Sequence, residues 1–487
     1  MGKYRISVAK GDGIGPEIMN AVLSIFDAVN VDIDYDYVEM GKDIFLKGHG
    51  TGMTPEAKES IESNGILFKG PMETPKGKGM KSINVTARKV WSTFANRRKF
   101  RTLKGVDTVY SKAGIPIDLT IVRENIEDTY GGIEHLNTHD VALCRRFITR
   151  PGSEQVHRFA FELARRDGHK KVTCGHKANI MKLTDGMFLE AFYKVAKDYP
   201  EIEADDRIID DLCMKLVAIP DQFDIIVLPN LQGDIVSDLC AGLVGGLGFA
   251  PSANIGERIS IFEAVHGTAP DIAGKGIANP TSLLLSGLML LRHLGYYKEA
   301  DKIENSLLYT LEQGVHTGDF GDKSTPSKNT REFAQAIIDN IGNVPTESKE
   351  VKTPDVEYTW VKPTFPDKQP MMETPKRGEE KLIGADFFIG SNELVDDIAP
   401  RIQAALPDKF ELVMISNRGT QVWPTGSILT ECIDHYRVRV ATKGEVATDM
   451  REMFDVSARI GDHFYISSVE MLKNYGEVRG YSLAQGQ

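Results

Sequence analysis

Cysteine is scarce, with five residues in 487: Cys144, Cys174, Cys213, Cys240 and Cys432. The number is odd, and no CxxC pair or His/Cys cluster occurs. This excludes a disulfide framework and a thiolate metal site, and it fits reduced thiols. Long apolar runs are also missing. The most apolar stretch, 283–291, is broken by Ser286 and Gly287 and closed by Arg292. A bilayer span needs about 20 residues, so no membrane segment is expected. There is no basic excess either: Lys+Arg 58 against Asp+Glu 69 leaves a net charge of −11. That balance gives no electrostatic footprint for nucleic acid and little attraction to anionic membranes. The opening MGKYRISVAKGDG lacks the basic, apolar and small-residue order of a signal peptide. A soluble cytoplasmic protein is expected, or one of an organelle matrix if a transit peptide was removed.

What is present is an ordinary globular composition, 41% hydrophobic and 26% charged, long enough for several domains of about 150 residues each. A short apolar alternation at 4–9 reads as a strand. GDGIGPE at 11–17 breaks it, and helical apolar spacing follows at 18–29, with Pro16 and Glu17 suited to a first turn. Strand-like runs recur at 172–174 and 225–228, helix-like runs at 186–199 and 210–217. Their alternation predicts an α/β class. Between 343 and 380 six prolines deny the chain a helix and most ladder hydrogen bonds, so an extended linker or strap is expected. Beyond it the pattern predicts strands at 382–389, 411–416, 436–441 and 463–467 and helices at 393–406 and 446–460. That is a separate βαββαβ-like α+β domain over 381–487.

Several clusters could carry chemistry. Gly11, Gly13 and Gly15 are wrongly spaced for a GxGxxG dinucleotide fingerprint, so a Rossmann reading is rejected. In KSINVTAR, Ser82, Asn84 and Arg88 gather a hydroxyl, an amide and a guanidinium within seven residues. Arg98 and Arg123 follow. Arginine forks hold carboxylates, so three of them suit a polyanionic small substrate, although each alone could be a surface salt bridge. Tyr130 precedes Gly131-Gly132, and Lys177 follows a strand. Either could move protons if its pKa were lowered. Asp234 and Asp238 are four apart and would share a helix face, where like charges repel unless a cation lies between them. Hard carboxylate oxygens suit Mg²⁺ or Mn²⁺, with Asp210 a possible third ligand. The plainer alternative makes Asp234 a helix cap and Asp238 a solvated charge. HGTAPDI at 266–272 is a small-residue loop that would let a ligand approach the backbone.

No one of these motifs decides the matter, but their order does. GDGIGPE, KSINVTAR, RENIEDTYGG, HKANIMK, NLQGDIVSD and HGTAPDIAG together resemble the β-decarboxylating dehydrogenases, the isocitrate and isopropylmalate dehydrogenase family. The likeness covers about residues 1–342, and the extension resembles the C-terminal domain of its long members. It implies a two-domain, non-Rossmann α/β fold. The large domain would be 1–93 and 245–342, the small domain 94–127 and 150–244, and a dimer clasp 128–149. It implies oxidation of a 2-hydroxy acid followed by loss of CO₂. Substrate binding would fall to Ser82, Asn84, Arg88, Arg98 and Arg123. Asp234 and Asp238 of one subunit and Asp210 of the other would hold the metal. Lys177 of the partner chain would help deprotonate the hydroxyl, and Tyr130 would protonate the enol carbon. Cofactor contacts would come from Thr74, His266, Gly267, Thr268, Ala269, Asp271, Ile272 and Asn279. The polar Ser82 and Asn84 resemble the isocitrate branch, with homoisocitrate or 3-isopropylmalate as alternatives and a regulatory subunit as the non-enzyme reading. NADP-type relatives carry Lys-Tyr where this chain has Asp271-Ile272, so NAD is the expected cofactor. A homodimer or higher homo-oligomer is the expected assembly.

Overall fold

The computed structural model describes residues 4–73, 82–353, 360–362, 364, 368–374 and 376–483. The chain divides into two compact units. One comprises Met1–Tyr130, Ile148–Asn179 and Met187–Met371, the other Gly131–Phe147, Ile180–Gly186 and Met372–Gln487. No described helix is long and apolar enough to cross a membrane.

The first unit begins with strands β1 (Tyr4–Ala9), β2 (Ile33–Tyr37), β3 (Ile66–Lys69), β4 (Ala95–Arg101) and β5 (Asp118–Glu124). A hairpin of β6 (Glu134–Leu136) and β7 (Ala142–Cys144) belongs to the second unit. The first unit resumes with β8 (Lys171–His176), β9 (Glu203–Ile208), β10 (Ile225–Leu228), β11 (Pro251–Ile255) and β12 (Ser260–Ala264). Its ten strands form one mixed sheet in the order β2-β1-β3-β12-β11-β4-β5-β10-β8-β9. The two flanks are parallel, and antiparallel pairings of β11 with β12 and β4, and of β4 with β5, join them. Strands buried on both faces read as continuous apolar runs, as Ile225–Leu228 does.

Gly15–Ala28 is helical because Pro16 pre-sets its first turn and Ile18, Val22, Ile25 and Phe26 recur on one buried stripe. Phe26 lies beside Phe68 with ring centroids 6.2 Å apart. Burying each such ring stabilises the fold by about 1.5–3 kcal/mol. The turn before this helix explains its glycines. Gly13 has φ +60°, and a Cβ there would sit 2.1 Å from the Thr268 carbonyl oxygen. The GDGIG segment is thus packed against the loop of residues 266–272.

After the helix Thr330–Asp339, no described residue before Glu380 is helical or stranded. The strap expectation has a physical counterpart on the helix Tyr297–Glu312. The Glu312 carboxylate accepts the N–H groups of Thr346 at 2.7 Å and Ser348 at 2.6 Å. Asn305 exchanges two 2.8 Å bonds with Val351, and Asp301 accepts the Thr353 N–H at 2.6 Å.

The second unit carries β13 (Glu380–Gly390), β14 (Phe410–Asn417), β15 (Thr420–Trp423), β16 (His435–Thr442), β17 (Tyr465–Tyr475) and β18 (Val478–Arg479). Their order is β15-β14-β16-β13-β17-β18, antiparallel throughout. Helices Val395–Ala405 and Met450–Gly461 bury Ile398, Ile402, Val456 and Ile460 in a core with Phe387, Ile389, Val438 and Val440. The sequence pattern missed β15. Arg418 and Gly419, both with positive φ, form its turn, as two-residue hairpins require. The β6–β7 hairpin is tied to this sheet. Asn137 donates to Ser467 Oγ at 3.0 Å, Thr138 to Asp434 at 3.1 Å, and Arg145 pairs with Glu470 at 2.7 Å.

Candidate active site

Ser82 caps the helix Ile83–Val90, its Oγ accepting the Val85 N–H at 3.5 Å. Asn84 lies in the first turn and Arg88 in the last, so both side chains come from one short helix. Arg98 comes from β4. Strand alternation separates it from its neighbour, because successive side chains face opposite sides. Arg98 donates to Ser237 at 2.6 Å and to Asp238 at 3.4 Å, whereas Arg97 pairs with Asp167 at 2.7 Å. Asn84, Arg88 and Arg98 line a cavity of about 100 Å³ with Lys69, Ser252, Glu263, His266 and Gly267. Among the described residues, Asn84 Oδ1, Arg88 Nε, Arg98 Nε and His266 Nε2 are buried without a hydrogen-bond partner. Burial, then the repulsion of Arg123 and Arg88, lowers the Arg98 pKa to about 10. Such a crowd of cations, with the Nε donors of two arginines unpaired among the described residues, favours a bound polyanion.

Asp234 is the hub of the neighbouring cluster. It lies inside the helix Asn230–Leu243, whose cap position is Pro229, so the capping alternative fails. Arg123, from β5, donates Nε at 3.0 Å and Nη2 at 2.7 Å to Asn230 Oδ1, and Nη1 to Asp234. Its guanidinium lies 4.9 Å from the Tyr130 ring centroid. Gly233 leaves room for it, since a Cβ there would fall 2.7 Å from Arg123 Cγ. The Tyr130 hydroxyl donates to Asp234 Oδ2 at 2.6 Å. Burial, then that bond, raises the Tyr130 pKa, so the phenol stays protonated. Burial pushes the Asp234 carboxyl up, but Arg123, Tyr130 and Arg98 outweigh it and hold it below its usual value. Burial raises Asp238 despite Arg98.

Lys177 and Asp210 pair with each other at 2.6 Å. Among the described residues no group of three or more His, Cys, Asp or Glu side chains could hold a metal. Asp234 and Asp238 are hard oxygen donors of the kind Mg²⁺ and Mn²⁺ take, but one chain offers only these two together.

The cofactor-loop residues are placed differently from one another. Thr74 lies outside the described residues. His266 Nδ1 faces the Gly267 carbonyl at 3.0 Å, burial lowers its pKa, and the residue lines the cavity. Among the described residues nothing lies within 4 Å of where a Gly267 Cβ would be. Thr268 is buried, and its carbonyl accepts the Ile14 N–H at 3.0 Å. Ala269 has φ +41°, a left-handed conformation unusual for a residue with a side chain. Asn279 is engaged in the fold, its amide donating to Asp319 at 3.1 Å and its oxygen accepting from Thr281.

Sequence reasoning missed Lys69, Glu263, Asn230 and Ser237. The signal for the first two was there: charged residues in the apolar strands ILFK and SIFEA, where an unpaired charge is costly.

The model of the isocitrate/isopropylmalate dehydrogenase family matches residues 5–337, and that of the bacterial isocitrate dehydrogenase C-terminal domain matches 380–487. The chain is 44% identical to the isocitrate dehydrogenase [NADP] of Thermus thermophilus, covering 100% of this chain and 96% of that protein. It is 40% identical to the isocitrate dehydrogenase [NADP] of Rickettsia bellii, covering 99% of each. A crystal structure of a Thermus thermophilus protein superposes with a TM-score of 0.89 at 43% identity, covering 100% of this chain and 97% of that one. The chain belongs to the isocitrate/isopropylmalate dehydrogenase family.

These relatives correct the expectation of NAD, since those matching along the whole chain are named for NADP. The NAD reading rested on Asp271-Ile272 standing where NADP-type relatives carry Lys-Tyr, which sets a carboxylate where a 2′-phosphate would bind. Asp271 is exposed, so its carboxylate is solvated and its repulsion acts through a high dielectric. Lys275, four residues on, is also exposed, and Ile272 packs against the core of the first unit. One solvated carboxylate in such a loop is a weak basis for excluding a phosphate.

Proposed function

We propose that this protein catalyses the NADP-dependent oxidative decarboxylation of isocitrate to 2-oxoglutarate and CO₂ with Mg²⁺ or Mn²⁺. The observation that carries the reading is the Tyr130–Asp234–Arg123 arrangement beside a cavity lined by Asn84, Arg88 and Arg98, each with a buried polar atom unpartnered among the described residues. A tricarboxylate offers these forks the acceptors they lack. Ser82 and Asn84 are polar where an isopropyl group would need apolar walls.

NADP⁺, when bound, would supply the hydride acceptor for C2. Asp234 and Asp238 of one chain and Asp210 of another would hold the ion, which would supply Lewis acidity at the C2 hydroxyl. Lys177 of the second chain takes the hydroxyl proton. When the β-carboxylate leaves as CO₂, its bonding electron pair stays on carbon, and the protonated Tyr130 supplies the proton. Arg88, Arg98 and Arg123 fix the remaining carboxylates, and the His266–Gly267 turn receives the nucleotide. The dimer this requires is supported by exposed apolar side chains on two contacting helices: Met214 and Val217 on Ile209–Ala218, and Leu231 and Ile235 on Asn230–Leu243. All of Tyr130, Lys177, Asp234 and Asp238 are present in the chain, which favours an enzyme over a regulatory subunit.

The test is a steady-state assay crossing isocitrate, homoisocitrate and 3-isopropylmalate, with and without Mn²⁺. Turnover confined to isocitrate plus metal supports the proposal. Preference for either other acid would overturn it.

A further inference from the structure

Glu263 is 3% exposed on β12, directly opposite Lys69, which is 2% exposed, on the parallel neighbour β3. Its Oε2 lies 2.5 Å from Lys69 Nζ. Its Oε1 accepts Arg88 Nη2 at 2.8 Å and Asn254 Nδ2 at 2.7 Å. Asn254 in turn accepts the side-chain amides of Asn96 at 2.9 Å and Asn125 at 3.0 Å. One carboxylate therefore gathers the central strands of the sheet and the helix that carries Asn84 and Arg88. Lys69 and Arg88 surround it and outweigh its charge, so burial pushing its pKa up is overcome and the group stays ionised.

The geometry at Arg88 is one-sided. Glu263 takes Nη2, while Nε is buried with no partner among the described residues, and the side chain lines the cavity. A guanidinium has a rigid planar fork, so fixing one nitrogen fixes the direction of the others. We propose that Glu263 is a positioning residue for substrate binding: by holding Arg88 Nη2 it aims the rest of that guanidinium at a substrate carboxylate. Lys69 balances the charge Glu263 brings into the interior. Asn254 fixes the carboxylate's rotation. The inference rests on the isocitrate reading of the same cavity.

A merely structural Glu263 would serve to neutralise Lys69. Two double variants of the full chain separate the roles, because both remove Lys69 and Glu263 as charges. Lys69→Met/Glu263→Gln keeps an amide oxygen for Arg88, and Lys69→Met/Glu263→Leu does not. Isocitrate affinity is measured by calorimetry with Mn²⁺ and no nucleotide, alongside KM and kcat. Relative to Lys69→Met, the Gln variant should keep the Kd for isocitrate within about threefold. The Leu variant should raise Kd and KM about tenfold or more, with kcat at saturating substrate within about threefold. Equal Kd values in the two, or a fall in kcat with Kd unchanged, would overturn the proposal. If the Leu variant does not melt cooperatively, Glu263→Asp decides. It keeps the charge but withdraws the carboxylate by one methylene, and should weaken isocitrate binding while sparing kcat. Wild-type affinity in that variant would also overturn the proposal. A wild type that binds no isocitrate would overturn both this inference and the functional reading, whereas variants that behave alike overturn this inference only.

Discussion

The phenol of Tyr130 donates to the Asp234 carboxylate at 2.6 Å while the Arg123 guanidinium contacts both residues. A proton donor is thereby fixed next to a carboxylate of the proposed metal site, and its raised pKa keeps the proton on oxygen at neutral pH. Tyr130→Phe should lower kcat by about 10²–10⁴, the usual loss for a positioned acid. It should leave the isocitrate Kd nearly unchanged, because the arginines that bind carboxylates remain. The variant should still reduce oxalosuccinate, the 2-oxo intermediate, better than it decarboxylates it. Equal loss in the two half-reactions would refute the assignment of Tyr130 to the enol proton.

A second prediction concerns acid stability. Glu304 is buried between Arg101 at 2.7 Å and Arg292 at 2.8 Å. Burial pushes its pKa up, but the two arginines prevail and hold it at about 2 against an ordinary 4.5. A carboxyl depressed in the folded state stabilises the protein above its unfolded pKa, and loses that contribution as pH falls through the folded one. Melting temperature should therefore drop between about pH 5 and pH 2. Glu304→Gln should lower stability at pH 7, by up to about 3–5 kcal/mol as for a broken buried pair, and should flatten that acid slope. Denaturant melts of both proteins across pH give the answer. Parallel slopes would contradict the account.

The C-terminal sheet and the β6–β7 hairpin share one compact unit. Removing 372–487 strips Asn137, Thr138 and Arg145 of Ser467, Asp434 and Glu470. The truncated chain should melt at lower temperature and be cut by protease within 131–147 faster than the full chain. Because the Tyr130 and Arg88 clusters lie outside the deleted segment, isocitrate should still bind. Unchanged melting and cleavage, with altered kinetics or effector response, would point to regulation instead of support.

Much of this was legible in the sequence because local rules carry it. The strand Tyr4–Ala9 ends where Gly11 and Gly13 break the alternation, and the described residues between 340 and 379 form neither helix nor strand. Asp234 and Asp238 share a helix face because of their spacing alone. What escaped depends on distant pairing. Nothing near Lys69 announces that Glu263, far along the chain, lies beside it in the sheet, and nothing near Asn137 announces Ser467. The sequence pattern makes β17 too short because only Leu472 among its described residues is buried, which weakens the period-two signal. The cofactor inference failed for another reason. It took the pair Asp271-Ile272, in place of Lys-Tyr, as decisive where affinity for a phosphate is set by a whole loop.

The central claim is tested most directly by kcat/KM for NADP and for NAD on the purified protein at saturating isocitrate. Each is measured with Mn²⁺ and again after EDTA treatment. The account predicts the higher kcat/KM with NADP, release of CO₂ with formation of 2-oxoglutarate, loss of activity in EDTA and its return with Mg²⁺ or Mn²⁺. A preference for NAD, or undiminished turnover without metal, would contradict it.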